Sequence, residues 1–544
     1  MSASIRRADV LLNDKPWLVF IFFNLLVVFL RWSSFYQSVL DEDESLYLLV
    51  AKAWSEGNPP YTTIWDNKPP VIYVVFLTAI SILGSSILSI RIVACLFIAI
   101  TCFFLYKMGS LIEHNGRGIG LLSGGLYAIA TLSNEGMASN TEIFFTTFVV
   151  IAFYQLFLIS SFHDKGSPSK KYLTLFLTGF LLGIGFEVKY VVLFDFLAMS
   201  LILVSIYTVR FRSNKKYLLV LQDISFLSLG FVLPFIIVSS YFWLVGHFDE
   251  YIYANFTANK LRTVDLEFSF VTLLKAIVWQ FRANHFFWLS MPSVTIYLFI
   301  AKTIPTWERW ILSSFIVWFL TNLLCIGTVL RGSFYSHYFL QLSPSLCLVT
   351  SYMMVRYFLS YTRFEQYEFR HYLIFGTFLI ILINTTHILE ALNSNAKYVY
   401  FRHIKGIRYW GDTPSLVAEY LKPKIKSNDY IYSVNQVTLY FLTDAKIPTR
   451  YVFWPFLIKC CGLPNITGID PLEELNLILQ KYPVYIVWER IDKTSVYYND
   501  NKQFFEKLNQ ALDKSYHLEN SIDRYDLYRL NTKPEVIQQF PEHG

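Results

Sequence analysis

Residues 40–70 read LDEDESLYLLVAKAWSEGNPPYTTIWDNKPP, with four consecutive acids after an apolar run and, farther on, Lys68 set against two prolines. Carboxylates can take the proton from an acceptor hydroxyl, and an ammonium can hold a phosphate and stabilise it as it leaves. The apolar residues Leu46, Leu49, Val50, Ala53 and Trp54 recur at helical spacing, with Glu44, Ser45, Lys52, Ser55 and Glu56 opposite. That pattern predicts an amphipathic helix over 43–57 lying on a membrane surface. Gly57-Asn58-Pro59-Pro60 ends it, and the prolines after Lys68 stiffen the backbone there. Asp41 to Glu44 also read as a flank that favours the helix dipole.

Three other stretches place polar groups at the ends of apolar runs. SNEGMASNTE (133–142) carries Asn140 and Glu142, FEVKY (186–190) carries Glu187 and Lys189, and RGSFYSHY (331–338) carries Arg331, His337 and Tyr338. Ionisable residues at membrane boundaries are functional candidates by default. Together with the first stretch they suggest one outward-facing cavity whose substrate includes a phosphate reachable from the membrane, and a polyprenyl-phosphate sugar fits. Lys189 also reads as a snorkelling interfacial residue and His337 as a hydrogen-bonded interfacial one.

The elements that must position these residues are membrane spans. The chain has 544 residues, of which 54% are hydrophobic and only 16% charged, whereas soluble domains carry roughly 25% charge. The fold class is therefore a polytopic α-helical membrane protein. Eleven apolar runs have spanning length, at 16–32, 86–107, 118–134, 140–160, 172–188, 190–209, 220–245, 285–301, 309–328, 338–357 and 372–391. Basic residues gather in alternate connections (Arg6, Arg7 and Lys15; Lys165, Lys170 and Lys171; Arg210, Arg212, Lys215 and Lys216; Arg356, Arg363 and Arg370), which makes those connections cytoplasmic. The run 71–84 is too short to cross and is expected along the outer interface.

The expected organisation is a transmembrane domain over 1–391, with 33–85 as its first outer loop, and a C-terminal extracytoplasmic domain over 392–544. The latter alternates strand-like runs (429–434, 482–489, 525–530) with helical ones (415–421, 472–481), which reads as a small α/β domain. The N-terminus is expected in the cytoplasm. The net charge of +6 is dispersed, so no nucleic-acid partner is implied. Four of the six cysteines lie in apolar runs, Cys460 and Cys461 are adjacent, and no disulfide framework is visible. No EF-hand or His-rich ligand spacing occurs, so no cofactor or metal is expected to be required, a divalent cation being left open as an addition.

The pattern D-E-x-x-Y (Asp43, Glu44, Tyr47), G-x-x-P-Y (57–61) and D-x-K-P-P (66–70) resembles the first outer loop of C-type, polyprenol-dependent glycosyltransferases. It is most similar to the branch with the lipid A aminoarabinose transferase, rhizobial galacturonosyltransferases and protein O-mannosyltransferases. Arg91, N-x-E at the fourth span and His337 to Pro344 also match. The resemblance implies an inverting transferase on the outer face of a cell inner membrane, moving a sugar from a polyprenyl-phosphate donor to a hydroxyl of a lipid, glycan or protein. It implies Asp43 as base, Glu44 as its support, Glu142 as second acid where some relatives have aspartate, and Lys68 on the lipid phosphate. Arg331, Lys260 and Arg262 are further phosphate candidates, and Tyr47, Tyr61, Asn140, Lys189, His337 and Tyr338 substrate-binding candidates. The alternative reading is a transporter or flippase of lipid-linked sugars, which would show polar groups or broken helices near the bilayer midplane.

Overall fold

The computed structural model describes residues 15–112, 115–161, 168–210, 216–264, 269–301, 304–328, 335–362, 385–459, 466–492 and 494–531. Its contacts form two compact units: residues 1–36, 68–248 and 267–404, and residues 37–67, 249–266 and 405–544. The first loop thus divides at Lys68 between the two units, and they do not follow the composition break at 391/392.

The first unit is helical. Its helices are α1 (Pro16–Leu30), α3 (Val71–Leu83), α4 (Ile87–Gly109), α5 (Gly116–Ala130), α6 (Thr141–Ser161), α7 (Pro168–Phe186), α8 (Leu193–Arg210), α9 (Lys216–Leu244), α11 (Phe270–Ile300), α12 (Thr306–Thr328), α13 (Ser343–Thr362) and α14 (Thr385–Tyr398). Among the described residues, six segments are long and apolar enough to cross a membrane: Ile87–Gly109, Thr141–Ser160, Tyr190–Tyr207, Tyr217–Leu244, Thr306–Thr328 and Ser336–Arg356. Leu25, Leu229, Ile236 and Phe299 are more than half exposed on their helices, as side chains facing lipid would be. The chain is an integral membrane protein. Other expected spans correspond to shorter or less apolar helices, and most of 372–391 lies outside the described residues.

One expectation changes: the span expected at 285–301 is the second half of α11, which begins already at Phe270. Lys275 and Arg282 interrupt the apolar run, yet a helix whose charged positions fall on one side needs no continuous run.

Glycines set the closest helix packing. A Cβ on Gly179 would stand 1.9 Å from the Leu227 carbonyl oxygen, and one on Gly230 would stand 2.0 Å from that of Phe176. Helices α7 and α9 therefore touch backbone to backbone, the small-residue packing of helices in lipid. Near their ends Lys171 pairs with the buried Asp223 at 2.6 Å, and Tyr207 of α8 donates to the same carboxylate at 2.5 Å, which ties three helices together.

The second unit contains α2 (Glu42–Ser55), α10 (Ala258–Val264), α15 (Thr413–Leu421), α16 (Thr438–Thr443), α17 (Pro471–Gln480), α18 (Lys502–Ser515) and four strands, β1 (Ile431–Ser433), β2 (Tyr485–Glu489), β3 (Tyr516–Ile522) and β4 (Tyr525–Leu530). The sheet order is β1-β2-β4-β3, with β1 parallel to β2 and the other pairs antiparallel. Strands β1, β2 and β4 and helices α15 and α17 lie where the sequence places strand-like and helical runs, whereas β3 has three consecutive polar residues (Glu519 to Ser521) between Leu518 and Ile522 and escapes periodicity. Phe504, Phe505, Leu508 and Leu512 of α18 are buried at i, i+1, i+4 and i+8 as one apolar side.

Candidate active site

The candidate residues fall into two groups, one in each unit. In the second unit, α2 starts with Asp41 as N-cap, its carboxylate accepting the Asp43 amide at 2.9 Å. Glu44 reaches back and accepts the Leu40 amide at 2.8 Å. This reciprocal use of two acids at a helix start satisfies amides that the helix leaves unbonded. Asp43, half-buried, accepts the Tyr47 hydroxyl at 3.0 Å one turn along. The helix N-terminus favours negative charge there. Glu44 is buried, with one carboxylate oxygen committed to this capping.

The expected surface helix is overturned in one respect. The first part of its polar side does not face water: residues 44–51 are all buried, while Ser55 and Glu56 at the helix end stay exposed. The Ser45 hydroxyl is hydrogen-bonded to that of Thr438, Lys52 pairs with Asp444, and the Val437 amide donates to Glu42 at 3.3 Å. The physical reason is that 37–67 folds together with the C-terminal residues, so its polar groups find protein partners. Burial pushes the Glu42 carboxyl from its ordinary 4.5 up to about 8, against the pull of the Val437 amide and reinforced by Glu489 nearby.

Tyr61 is buried with φ of 73°, its ring 6.2 Å from that of Tyr251. Asn67 and Asn259 exchange two hydrogen bonds of 3.0 Å, which joins the end of the 37–67 segment to α10. On that helix Lys260 is exposed. Arg262 follows in its backbone, and its side chain lies outside the described residues, as does Arg331.

In the first unit, Pro70 caps α3, and the Val71 amide donates to the Glu187 carbonyl at 2.9 Å. That bond ties the Lys68 turn to the FEVKY turn. Lys68 is half-buried, and its carbonyl accepts the Tyr73 hydroxyl at 3.4 Å. Two residues past Glu187, Lys189 forms a salt bridge with Glu142, and its ammonium lies 4.4 Å from the centre of the Tyr338 ring. Glu142 also accepts the Thr141 hydroxyl at 3.0 Å. The neighbouring His337 hydrogen-bonds through Nδ1 to Glu135 at 2.6 Å. That bond holds the Glu135 carboxyl below the usual range, although partial burial opposes it. Asn140, whose carbonyl accepts the Ile143 amide at 3.1 Å, is buried at the start of the same helix.

Sequence reasoning thus picks out Glu142, Lys189, His337 and Tyr338, and the structure brings these four together. It passes over Glu135, a turn acid beside a glycine. The signal was its setting: Asn134 and Glu135 both take left-handed backbone (φ of 55° and 57°), which non-glycine residues rarely adopt. It also passes over Arg31, which pins that loop by donating to the Thr131 and Met137 carbonyls at 3.1 and 2.7 Å. Beside the loop a pocket is lined by Asn134, Gln280, Phe287, Trp288, Phe339 and Cys347. The two amides exchange hydrogen bonds of 3.0 and 2.9 Å. The first unit's group is a buried carboxylate neutralised by an ammonium, beside an imidazole with its own acid partner. The second unit offers a half-buried carboxylate held by a phenol, a suitable proton acceptor.

Residues 67–237 match the family model described as dolichyl-phosphate-mannose-protein mannosyltransferase. The matched segment contains Lys68, Asn140, Glu142 and Lys189 but not Asp43. Among solved structures, the fold is similar to that of ArnT from Cupriavidus metallidurans in the apo state, with a TM-score of 0.59, 12% identity and 95% and 98% of the two chains covered. It is also similar to the Archaeoglobus fulgidus oligosaccharyltransferase AglB in complex with an inhibitory peptide and a dolichol-phosphate. There the TM-score is 0.50 at 12% identity, covering 96% of this chain and 75% of that one. The Archaeoglobus fulgidus oligosaccharyltransferase tethered by a disulfide bond to an acceptor peptide containing the NVT sequon gives 0.52 at 12% identity, covering 96% of this chain and 75% of that one. No curated protein matches.

Proposed function

We propose that this chain, a membrane protein with the fold of the C-type glycosyltransferases, moves a sugar from a polyprenyl-phosphate donor to a hydroxyl of a lipid, glycan or protein on the outer face of the membrane. The observation that carries the reading is the Lys68 turn bonded through Val71 and Glu187 to the turn that bears Lys189, whose ammonium pairs with Glu142 of α6, all within the segment matching the mannosyltransferase family. The similarity to a structure holding dolichol-phosphate supports the lipid-phosphate donor.

The chemistry follows from the residue types. Asp43 takes the proton of the acceptor hydroxyl as its oxygen attacks the anomeric carbon. The bond from that carbon to the phosphate oxygen breaks on the opposite side, so the configuration inverts. The electron pair leaves on the lipid phosphate, whose growing charge Lys68 stabilises, with Lys260, Arg262 and Arg331 as additional cations for the phosphate. Glu142, held by Lys189, is the second acid of the site, and Glu44 supports Asp43 by fixing its turn. Asn140, Tyr47, Tyr61, His337 and Tyr338 contact substrate. The enzyme works in a cell inner membrane with its N-terminus in the cytoplasm and its C-terminal domain outside.

The test is transfer of label from radiolabelled polyprenyl-phosphate sugars to membrane lipid or protein by the purified chain in vesicles, comparing wild type with Lys68→Ala. Transfer by the wild type, with a donor KM raised about tenfold or more in the variant, supports the reading. Movement of labelled lipid across the vesicle without any transfer would replace it with the flippase reading.

A further inference from the structure

Helix α2, which bears Asp43, makes its polar attachments to the C-terminal part of its own unit. Val437, Thr438 and Asp444 meet Glu42, Ser45 and Lys52, and just upstream the Ser38 hydroxyl donates to Asp412 at 2.5 Å. At about 100° per residue, positions 42, 45 and 52 fall within roughly 80° of one another around the helix, while Asp43 and Tyr47 lie on the other side. The attachments therefore hold the helix from behind without occupying the side that bears the carboxylate. Two of their members, Ser45 and Thr438, are almost wholly buried, where a hydroxyl left without its partner is costly.

The holding segment is itself fixed to the sheet. The Ser433 amide at the end of β1 donates to the Tyr440 hydroxyl at 3.0 Å, and its hydroxyl to the Gln436 carbonyl at 2.8 Å. Gln436 donates to Tyr525 of β4 at 2.9 Å, and the Val434 amide to Val487 of β2 at 2.8 Å. Rigid connections therefore run from three strands through 436–444 into α2 and its first turn.

We infer that the segment 437–444 is a positioning element for Asp43: the C-terminal domain is a working part of the catalytic apparatus, with Thr438 and Ser45 as positioning residues, rather than a separable module for capturing acceptor. This rests on Asp43 being the base. Chemistry of this kind is sensitive to small displacements, since a shift of about 1 Å can cost on the order of 100-fold in rate. Binding of the donor, in contrast, does not depend on where the base stands.

The experiment measures kcat and KM for a radiolabelled polyprenyl-phosphate sugar, per mole of folded full-length enzyme in vesicles, for Thr438→Val, Thr438→Ser, Ser45→Ala and Asp43→Asn. The expected result is a fall in kcat of about tenfold or more for Thr438→Val and Ser45→Ala with donor KM within about twofold of wild type, and recovery of most of kcat in Thr438→Ser. Should Thr438→Val fail to fold, Ser45→Ala with Thr438→Ser decides by the same criterion. Wild-type kcat in the folded Thr438 and Ser45 variants, with Asp43→Asn inactive, would overturn the inference and leave the base assignment standing. A loss confined to KM would also overturn it, as acceptor or donor capture would then be the domain's task. Full activity in Asp43→Asn would overturn the base assignment and this inference with it.

Discussion

Glu142 and Lys189 neutralise each other in a buried site, and removal of one leaves the other charge without compensation. Breaking a buried pair costs about 3–5 kcal/mol, whereas replacing both members with apolar groups is often close to neutral. Lys189→Met should therefore lower the unfolding temperature of the detergent-solubilised protein markedly, and adding Glu142→Leu should restore much of the loss. A second variant no more stable than the first would show that the ion pair does not determine the effect. Glu42 gives a pH dependence of opposite character to that of an ordinary surface acid. Its carboxyl stays protonated in the folded unit up to about pH 8, while the unfolded chain releases that proton above 4.5. Stability of the α2 attachment is thus unaffected below about pH 4.5, falls between there and 8, and stays low above. Hydrogen exchange of residues 42–55 should accelerate over that window, and Glu42→Gln should flatten the change. At this scale the sequence exposes Lys189 and His337 through their position at the ends of apolar runs. It hides Glu135 and Thr438, since a turn acid and a threonine in a polar segment look ordinary until the fold supplies their partners.

Helices α7 and α9 illustrate what the apolar pattern says about elements and what it omits. Hydropathy finds both runs, yet it cannot say that Gly179 and Gly230 are the points of contact, because composition does not disclose which side meets which helix. The structure makes the consequence specific: a methyl group at Gly230 meets a backbone carbonyl, so the helices must move apart. Gly230→Ala is expected to destabilise by about 1–3 kcal/mol, read as a fall in unfolding temperature, with turnover per folded molecule little changed. No loss of stability would mean that the two helices do not approach as closely as described. Helix α11 carries the opposite lesson, since charges at 275 and 282 end an apolar run without ending a helix. Strand β3 was invisible for a related reason: it lies at the sheet edge, and of its seven residues only Tyr516 is fully buried, so the alternation that marks a half-buried strand is weak.

On the scale of the whole molecule, the membrane class and the α/β character of the C-terminal residues follow from composition and periodicity. The assignment of 37–67 to the same compact unit as 405–531 does not, since it depends on pairings nearly 400 residues apart such as Ser45 with Thr438. A chain ending at residue 404 should therefore leave 37–67 without its partners. Limited proteolysis of that truncated protein in detergent is expected to cut within 37–67 under conditions where the full chain resists, and equal resistance would contradict the shared unit. The central claim spans all three scales: a transferase of lipid-linked sugar whose base stands in the first turn of α2. Its most direct test is transfer of label from a radiolabelled polyprenyl-phosphate sugar into membrane lipid or protein, wild type against Asp43→Asn at matched amounts of folded protein. The account expects the variant to lose transfer by at least about 100-fold while keeping the unfolding temperature of the wild type. Equal labelling by the two would contradict it.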